Sequence, residues 1–232
     1  MITSSKCWLQ KQCNKIKKTN ECQLNDMFCI KLFKLNELYD LSLVSDSQRK
    51  HIDLRLDESK IDEDSFILLK NIQDNILSFV SEGKNLYIYS SITGNGKTAW
   101  SLRLLQTYFN SIWYKSDIEC KGLFVNVPRY LLAIKDNISN FNQYAQEVKD
   151  RIFDADIVIW DDIGTKSATS FEHETLLSII DTRMNTNKSN IFTSNIDPEA
   201  LRLFAGDRLY SRIINYSTCI EFKGEDKRRL KF

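Results

Sequence analysis

Lys97 and Thr98 close a short turn, Ser91-Ile92-Thr93-Gly94-Asn95-Gly96-Lys97-Thr98. Gly94 and Gly96 allow the backbone to curl until its N–H groups converge on an anion. The lysine adds a mobile positive charge, and the threonine hydroxyl adds a hard oxygen for Mg2+. Residue types in this order cradle phosphate groups. The full spacing asks for glycine at the first place, where this chain has Ser91. A second set begins where apolar Ile157-Val158-Ile159-Trp160 runs into Asp161 and Asp162. A carboxylate at the C-terminal end of a buried strand sits on the rim where open α/β sheets bind ligands. Asp161 could then hold the metal, and Asp162 could orient or deprotonate an attacking water. The plainer alternative is that both acids cap the following turn. Two further groups complete the inventory. Thr193-Ser194-Asn195 ends another apolar run, and Arg208 and Arg212 stand four apart on one helical face.

Positioning these groups requires a strand before the loop and a helix after it. Leu86-Tyr87-Ile88-Tyr89 is short, apolar and β-prone, and Ala99 to about Tyr108 reads as helix. Residues 122–127, 155–164, 189–195 and 217–222 read as further strands. Residues 129–137, 141–153 and 171–184, a stretch opened by Pro198, and 206–213 read as helices. Apolar strands alternating with helices indicate an α/β protein with a parallel sheet of about five strands, covered on both faces. Upstream, Phe66, Leu69, Ile72, Ile76 and Phe79 recur at helical steps and close near Gly83. Residues 31–44 also look helical. Residues 45–64 are polar and acidic and read as a linker. The expected organisation is a Cys-rich segment (1–45), a linker (46–64) and an α/β domain (65–232).

Length and charge set limits. At 232 residues with 42% hydrophobic content, the chain can bury a sizeable core. A net charge of +1 gives no whole-molecule argument for nucleic acid. Its distribution is uneven: seven Lys against four acids in residues 1–40, and a basic run at Lys227-Arg228-Arg229-Leu230-Lys231. No apolar stretch reaches the roughly 20 residues of a bilayer span, and no secretory leader is visible. A cytoplasmic protein with reduced cysteines is expected, without membrane partners. Cys7, Cys13, Cys22 and Cys29 fall within 23 residues, at gaps of five, eight and six. They are either a zinc site that staples a short segment or four free thiols; the two-residue gap of a zinc knuckle is absent.

Taken in order, these motifs resemble the AAA+ P-loop ATPases, and within them the DnaC/DnaI group of replicative-helicase loaders of bacteria and their phages. The resemblance covers about Phe66 to the C-terminus. Ser91–Thr98 matches the Walker A loop apart from Ser91. Ile157–Gly164 matches Walker B, with Asp-Asp where most AAA+ proteins have Asp-Glu. Asn195 matches sensor 1, and Arg212 matches the arginine finger. A sensor 2 arginine would fall near Arg228 or Arg229, a weaker match. The resemblance implies a three-layer αβα fold without the helical lid, and ATP and Mg2+ as ligands. Ser91, Gly94, Asn95, Gly96, Lys97, Thr98 and Arg228 would hold nucleotide, Thr98 and Asp161 the metal. Asp162, Asn195 and Arg212 would be catalytic, with modest intrinsic turnover. It further implies a homo-oligomer in which Arg212 acts in trans, a hexameric replicative helicase as partner, and single-stranded DNA as substrate. Two alternatives stay open: an IstB-like transposition helper, and a nucleotide-binding module that modulates a host loader with little catalysis.

Overall fold

The computed structural model describes residues 13, 26–52, 60–117, 119–164 and 169–227. The chain enters through helices α1 (Asp26–Leu41) and α2 (Asp46–His51), a single 3-10 turn at Lys60–Asp62, and helices α3 (Glu63–Asp74) and α4 (Ile76–Ser81). Strand β1 (Asn85–Tyr89) and helix α5 (Lys97–Ile112) follow, then β2 (Gly122–Asn126), α6 (Val127–Ser139) and α7 (Gln143–Arg151). The last part is β3 (Ile157–Asp161), α8 (Ser170–Asn185), β4 (Ser189–Ser194), α9 (Pro198–Asn215) and β5 (Ser217–Glu221).

The strands form one sheet in the order β2-β3-β4-β1-β5, and every pair is parallel. This matches the expected fold of about five parallel strands. Parallel strands need a crossover between them, so helices cover both faces and the strands lose the polar alternation of a half-exposed sheet. Successive side chains still point to opposite sides. Leu86, Ile88, Phe124, Ile157, Ile159 and Ile191 face a core shared with α1 to α5. Tyr87, Leu123, Val125, Val158, Trp160 and Phe192 face a second core shared with α6 to α9.

Local chemistry sets the helix starts. Asn126, Asn142 and Asp197 each accept an N–H of the first turn that follows them, and Thr169 forms a reciprocal capping box with Glu172. These satisfy N–H groups that have no partner inside the helix. Pro128 and Pro198 stand in the first turns of α6 and α9, where a missing N–H is harmless.

Three features differ from the sequence expectation. The single helix read through Phe66–Phe79 is broken at Asn75, which has φ −111° and ψ 28°. Its apolar side chains still fall on one face, so periodicity does not register the break. Residues 26–52 do not stand apart as a separate segment. Leu38, Tyr39, Val44 and Ile52 are part of the first core, and Tyr39 meets the Phe109 ring edge-on at 5.2 Å. The Phe124 N–H also donates to the Ser42 carbonyl at 2.8 Å. The span read as a linker therefore carries α2, opened by a Ser45–Gln48 capping box, while 53–59 lie outside the described residues. Finally, α9 bends at Gly206, whose φ of 70° and ψ of 163° leave helical space, so its two halves run in different directions.

The N-terminal end of the sheet is braced by a buried cation. Arg183 is fully buried. Its guanidinium donates to Asn190 Oδ1 (2.9 Å), to the carbonyls of Ile152 and Ala155 (2.5 and 2.9 Å), and to the Ser189 carbonyl (2.7 Å). Asn190 in turn binds Asn85 Oδ1 and the Trp160 indole N–H. One planar fork thus satisfies four buried acceptors, of which Asn190 Oδ1 also takes the Trp160 indole N–H. Arg183→Met should lower unfolding free energy by about 3–5 kcal/mol, because those acceptors lose their donor. Urea denaturation measures it, and a loss within about 1 kcal/mol would contradict a bracing role.

Candidate functional site

The loop after β1 turns twice through left-handed space, at Gly94 (φ 76°) and Gly96 (φ 108°). Such angles are strained for side-chain-bearing residues. Gly96 is the N-cap of α5, so the positive end of that helix opens directly onto the loop. Lys97 Nζ lies across the turn, donating to the Ile92 carbonyl (3.0 Å) and to Asn95 Oδ1 (3.3 Å). The Asn95 side chain is buried and donates to Ser90 Oγ (2.7 Å), which accepts the Ile92 N–H as well. That side chain therefore braces the loop from beneath. Ser91 is exposed at the loop's start.

The sheet register brings the acids to this loop. Asn126 pairs with Asp161 across β2 and β3, and Trp160 pairs with Phe192 across β3 and β4, so Thr193 flanks Asp161 on its other side. Asp161, only 6% exposed, receives three donors. Thr98 Oγ1 and Thr193 Oγ1 donate to its Oδ1 at 2.7 and 2.8 Å, and Asn126 Nδ2 makes a longer contact of 3.5 Å to its Oδ2. Burial, and then the neighbouring Asp162 charge, push the Asp161 carboxyl above its usual range; the three donors partly offset this. No cation pairs with Asp161 among the described residues. A buried carboxylate beside a threonine hydroxyl, both oxygen donors, fits Mg2+.

Asp162 has left-handed backbone (φ 58°), uncommon for a residue with a side chain though better tolerated by Asp than most. Its N–H donates to Thr193 Oγ1 (3.1 Å), and Asn195 Nδ2 donates to its Oδ1 (3.2 Å). Of the residues expected from sequence to work together, Thr98 at the start of α5, Asp161 and Asp162 at the end of β3, and Asn195 past β4 are joined by hydrogen bonds through Thr193, and Lys97 adjoins Thr98 in the chain. The sequence reading assigned no role to Asn126. Its signal was a polar residue closing an apolar strand just before Pro128.

The other expected residues fall elsewhere. Arg212 lies on α9, 40% exposed, in an ion pair with Asp181 of α8 (2.6 Å) and near the Tyr216 ring. None of the loop residues or the two acids is among its partners. Arg228, Cys7 and Cys22 lie outside the described residues. Cys13 is buried and Cys29 half-buried, both as free thiols. No cluster of three metal-ligating side chains occurs among the described residues. Among them too, no helix is long and apolar enough to cross a membrane.

A strap beyond β5 closes over the loop. The Phe222 N–H donates to the Tyr89 carbonyl (2.8 Å), Asn95 Nδ2 reaches the Phe222 carbonyl (3.5 Å), and the Lys227 N–H donates to the Gly94 carbonyl (3.0 Å). Asp62, 2% exposed, fastens the strap by accepting the N–H groups of Lys223 (2.6 Å) and Gly224 (3.0 Å).

Comparison with known proteins follows this geometry. A profile of the bacterial DnaA ATPase domain matches residues 68–218. No curated protein sequence matches the chain. Among solved structures, the DnaC helicase loader is similar at 17% identity and a TM-score of 0.60, over 77% of this chain and 100% of that one. DnaI is similar at 21% identity and a TM-score of 0.60, over 78% of this chain and 93% of that one. A replication initiator DnaA bound to AMPPCP and single-stranded DNA matches at 21% identity and a TM-score of 0.53, over 71% of this chain and 47% of that one. At these identities the likeness is one of fold.

The raised Asp161 carboxyl gives a signed prediction. A carboxyl whose folded pKa lies above its unfolded value penalises folding once it is ionised, at pH above the folded pKa. The penalty is relieved as pH falls through that value. Asp161→Asn should therefore raise the thermal midpoint of the metal-free protein at pH 7 while weakening Mg2+-dependent nucleotide binding. The gain should shrink on acidification. Calorimetry from pH 7 to pH 4 tests this, and a lowered midpoint at pH 7 would count against it.

Proposed function

The chain belongs to the family of bacterial DnaA ATPase domains, and from that premise we propose that it is an ATP-hydrolysing loader of a replicative DNA helicase. The observation that carries the ATPase part is the hydrogen-bonded set Thr98–Asp161–Thr193–Asp162–Asn195 standing at the mouth of the Lys97 loop. The loader part draws support from the similarity to the DnaC helicase loader, which extends over the whole of that chain.

In this reading the loop N–H groups and Lys97 bind the β- and γ-phosphates, Lys97 exchanging its contacts to Ile92 and Asn95 for phosphate oxygens. Thr98 and Asp161 hold Mg2+, which supplies charge neutralisation on the phosphates. Asp162 takes the attacking water, and its left-handed backbone with the Asn195 amide fixes the direction of its carboxylate. Asp is one methylene shorter than Glu, so turnover is modest. Arg212 completes the site of a neighbouring copy, exchanging Asp181 for the γ-phosphate. Head-to-tail contacts of this kind build rings or spirals. ATP then switches the assembly between holding and releasing a hexameric helicase, with single-stranded DNA threaded beside it.

Two measurements test the proposal. Arg212→Ala should still bind ATP but lose turnover by about 10³-fold, the lower end of what an arginine finger supplies. Unchanged turnover would remove Arg212 from the site. The wild-type protein should co-elute with its cell's hexameric helicase in the presence of ATP, and Lys97→Ala should not. Separate elution of wild type with and without ATP would end the loader reading.

A further inference from the structure

We infer that Thr193 is a positioning residue whose hydroxyl holds both acids of the site, setting the carboxylate plane of Asp161 and the backbone of Asp162. The inference rests on the ATPase reading above and deepens it. Thr193 lies on β4, fully buried, between apolar Phe192 and Ser194. Nothing in strand packing asks for a hydroxyl at this place, since valine fills nearly the same volume and suits a strand interior equally well.

The hydroxyl has one proton and two lone pairs. The Asp162 N–H occupies a lone pair (3.1 Å), so the proton is free to go to Asp161 Oδ1 (2.8 Å). One oxygen therefore joins the metal-binding acid to the water-binding acid. A second bond from the same residue reinforces the turn, because the Thr193 carbonyl accepts the Ile163 N–H (2.9 Å). Ser194 Oγ donates to the Ile163 carbonyl (2.6 Å) as well. The left-handed turn at Asp162 is thus stitched to β4 at three points, two of them through Thr193.

Thr98, the other donor to Asp161 Oδ1, is itself a candidate metal ligand. Thr193 and the more distant Asn126 are the donors whose only task at Asp161 is to hold it. Side chains that orient a metal ligand without touching the metal typically change metal affinity by about 10- to 100-fold when removed. The Thr193 side chain bonds to the two acids and its carbonyl to Ile163, so metal-free binding of nucleotide phosphates to the loop should be unaffected.

Thr193→Val removes the oxygen at nearly constant volume, and Thr193→Ser keeps it. Binding of a fluorescent ATP analogue is followed against Mg2+ concentration and again in excess chelator, together with kcat and KM. Thr193→Val should need about 10- to 100-fold more Mg2+ for half-saturation. It should lose kcat, and match wild type within about twofold in chelator. Thr193→Ser should restore Mg2+ dependence. An unchanged Mg2+ requirement in Thr193→Val overturns the inference while leaving the ATPase reading intact. If Thr193→Val lacks a thermal unfolding transition, Thr193→Ser decides: a folded Thr193→Ser with a weakened Mg2+ response also overturns it, and a wild-type response supports it. A wild-type protein that binds no nucleotide with Mg2+ overturns the ATPase reading and this inference together.

Discussion

The carboxylate of Asp161 is the point on which the rest of the site depends. It draws hydrogen bonds from β2, β4 and the first turn of α5, so three neighbouring elements and the phosphate loop are registered against one group. Burying such a charge is unfavourable on its own, and burial accordingly pushes the carboxyl above its usual range. The three donors offset part of that cost, and a bound Mg2+ would offset the remainder. A buried carboxylate of this kind is an electrostatic deficit that a bound divalent cation would fill.

The two ends of the sheet solve opposite problems with similar tools. At the C-terminal rim a buried anion is held by hydroxyls and an amide; at the N-terminal end a buried cation, Arg183, is held by carbonyls and Asn190. Burial works against the charged form at both ends, lowering the Arg183 guanidinium as it raises the Asp161 carboxyl. What differs is the place: Arg183 gives its hydrogen bonds to the starts of the strands and their neighbours, and Asp161 sits on the rim beside the loop that opens α5.

Much of this was legible from residue order. The loop, the two acids, Asn195 and the parallel sheet all announce themselves through local signals: a glycine-lysine-threonine turn, apolar strands, and polar residues at strand ends. What escaped was long-range. The packing of residues 26–52 onto the sheet depends on the Ser42 carbonyl meeting the Phe124 N–H and on Tyr39 meeting Phe109, pairings that no spacing rule reports. The break at Asn75 escaped because both helices present the same apolar face. Thr193 was visible only as a strand-end polar residue, since its two hydrogen bonds, one to each acid, follow from the β3–β4 register. The Arg212–Asp181 pair likewise needed the relative placement of α8 and α9.

The strap at residues 222–227 adds a mechanical consequence. Gly94 and Asn95 belong to the phosphate loop, yet their carbonyl and side chain are bonded to a segment anchored by Asp62 at the foot of α3. The loop cannot shift at Gly94 without either releasing Lys227 or dragging the strap, β5's extension and the α3 entry with it. Loop, strap and α3 entry are thus geared together, so a displacement at Gly94 is carried through Lys227 to the segment that Asp62 anchors.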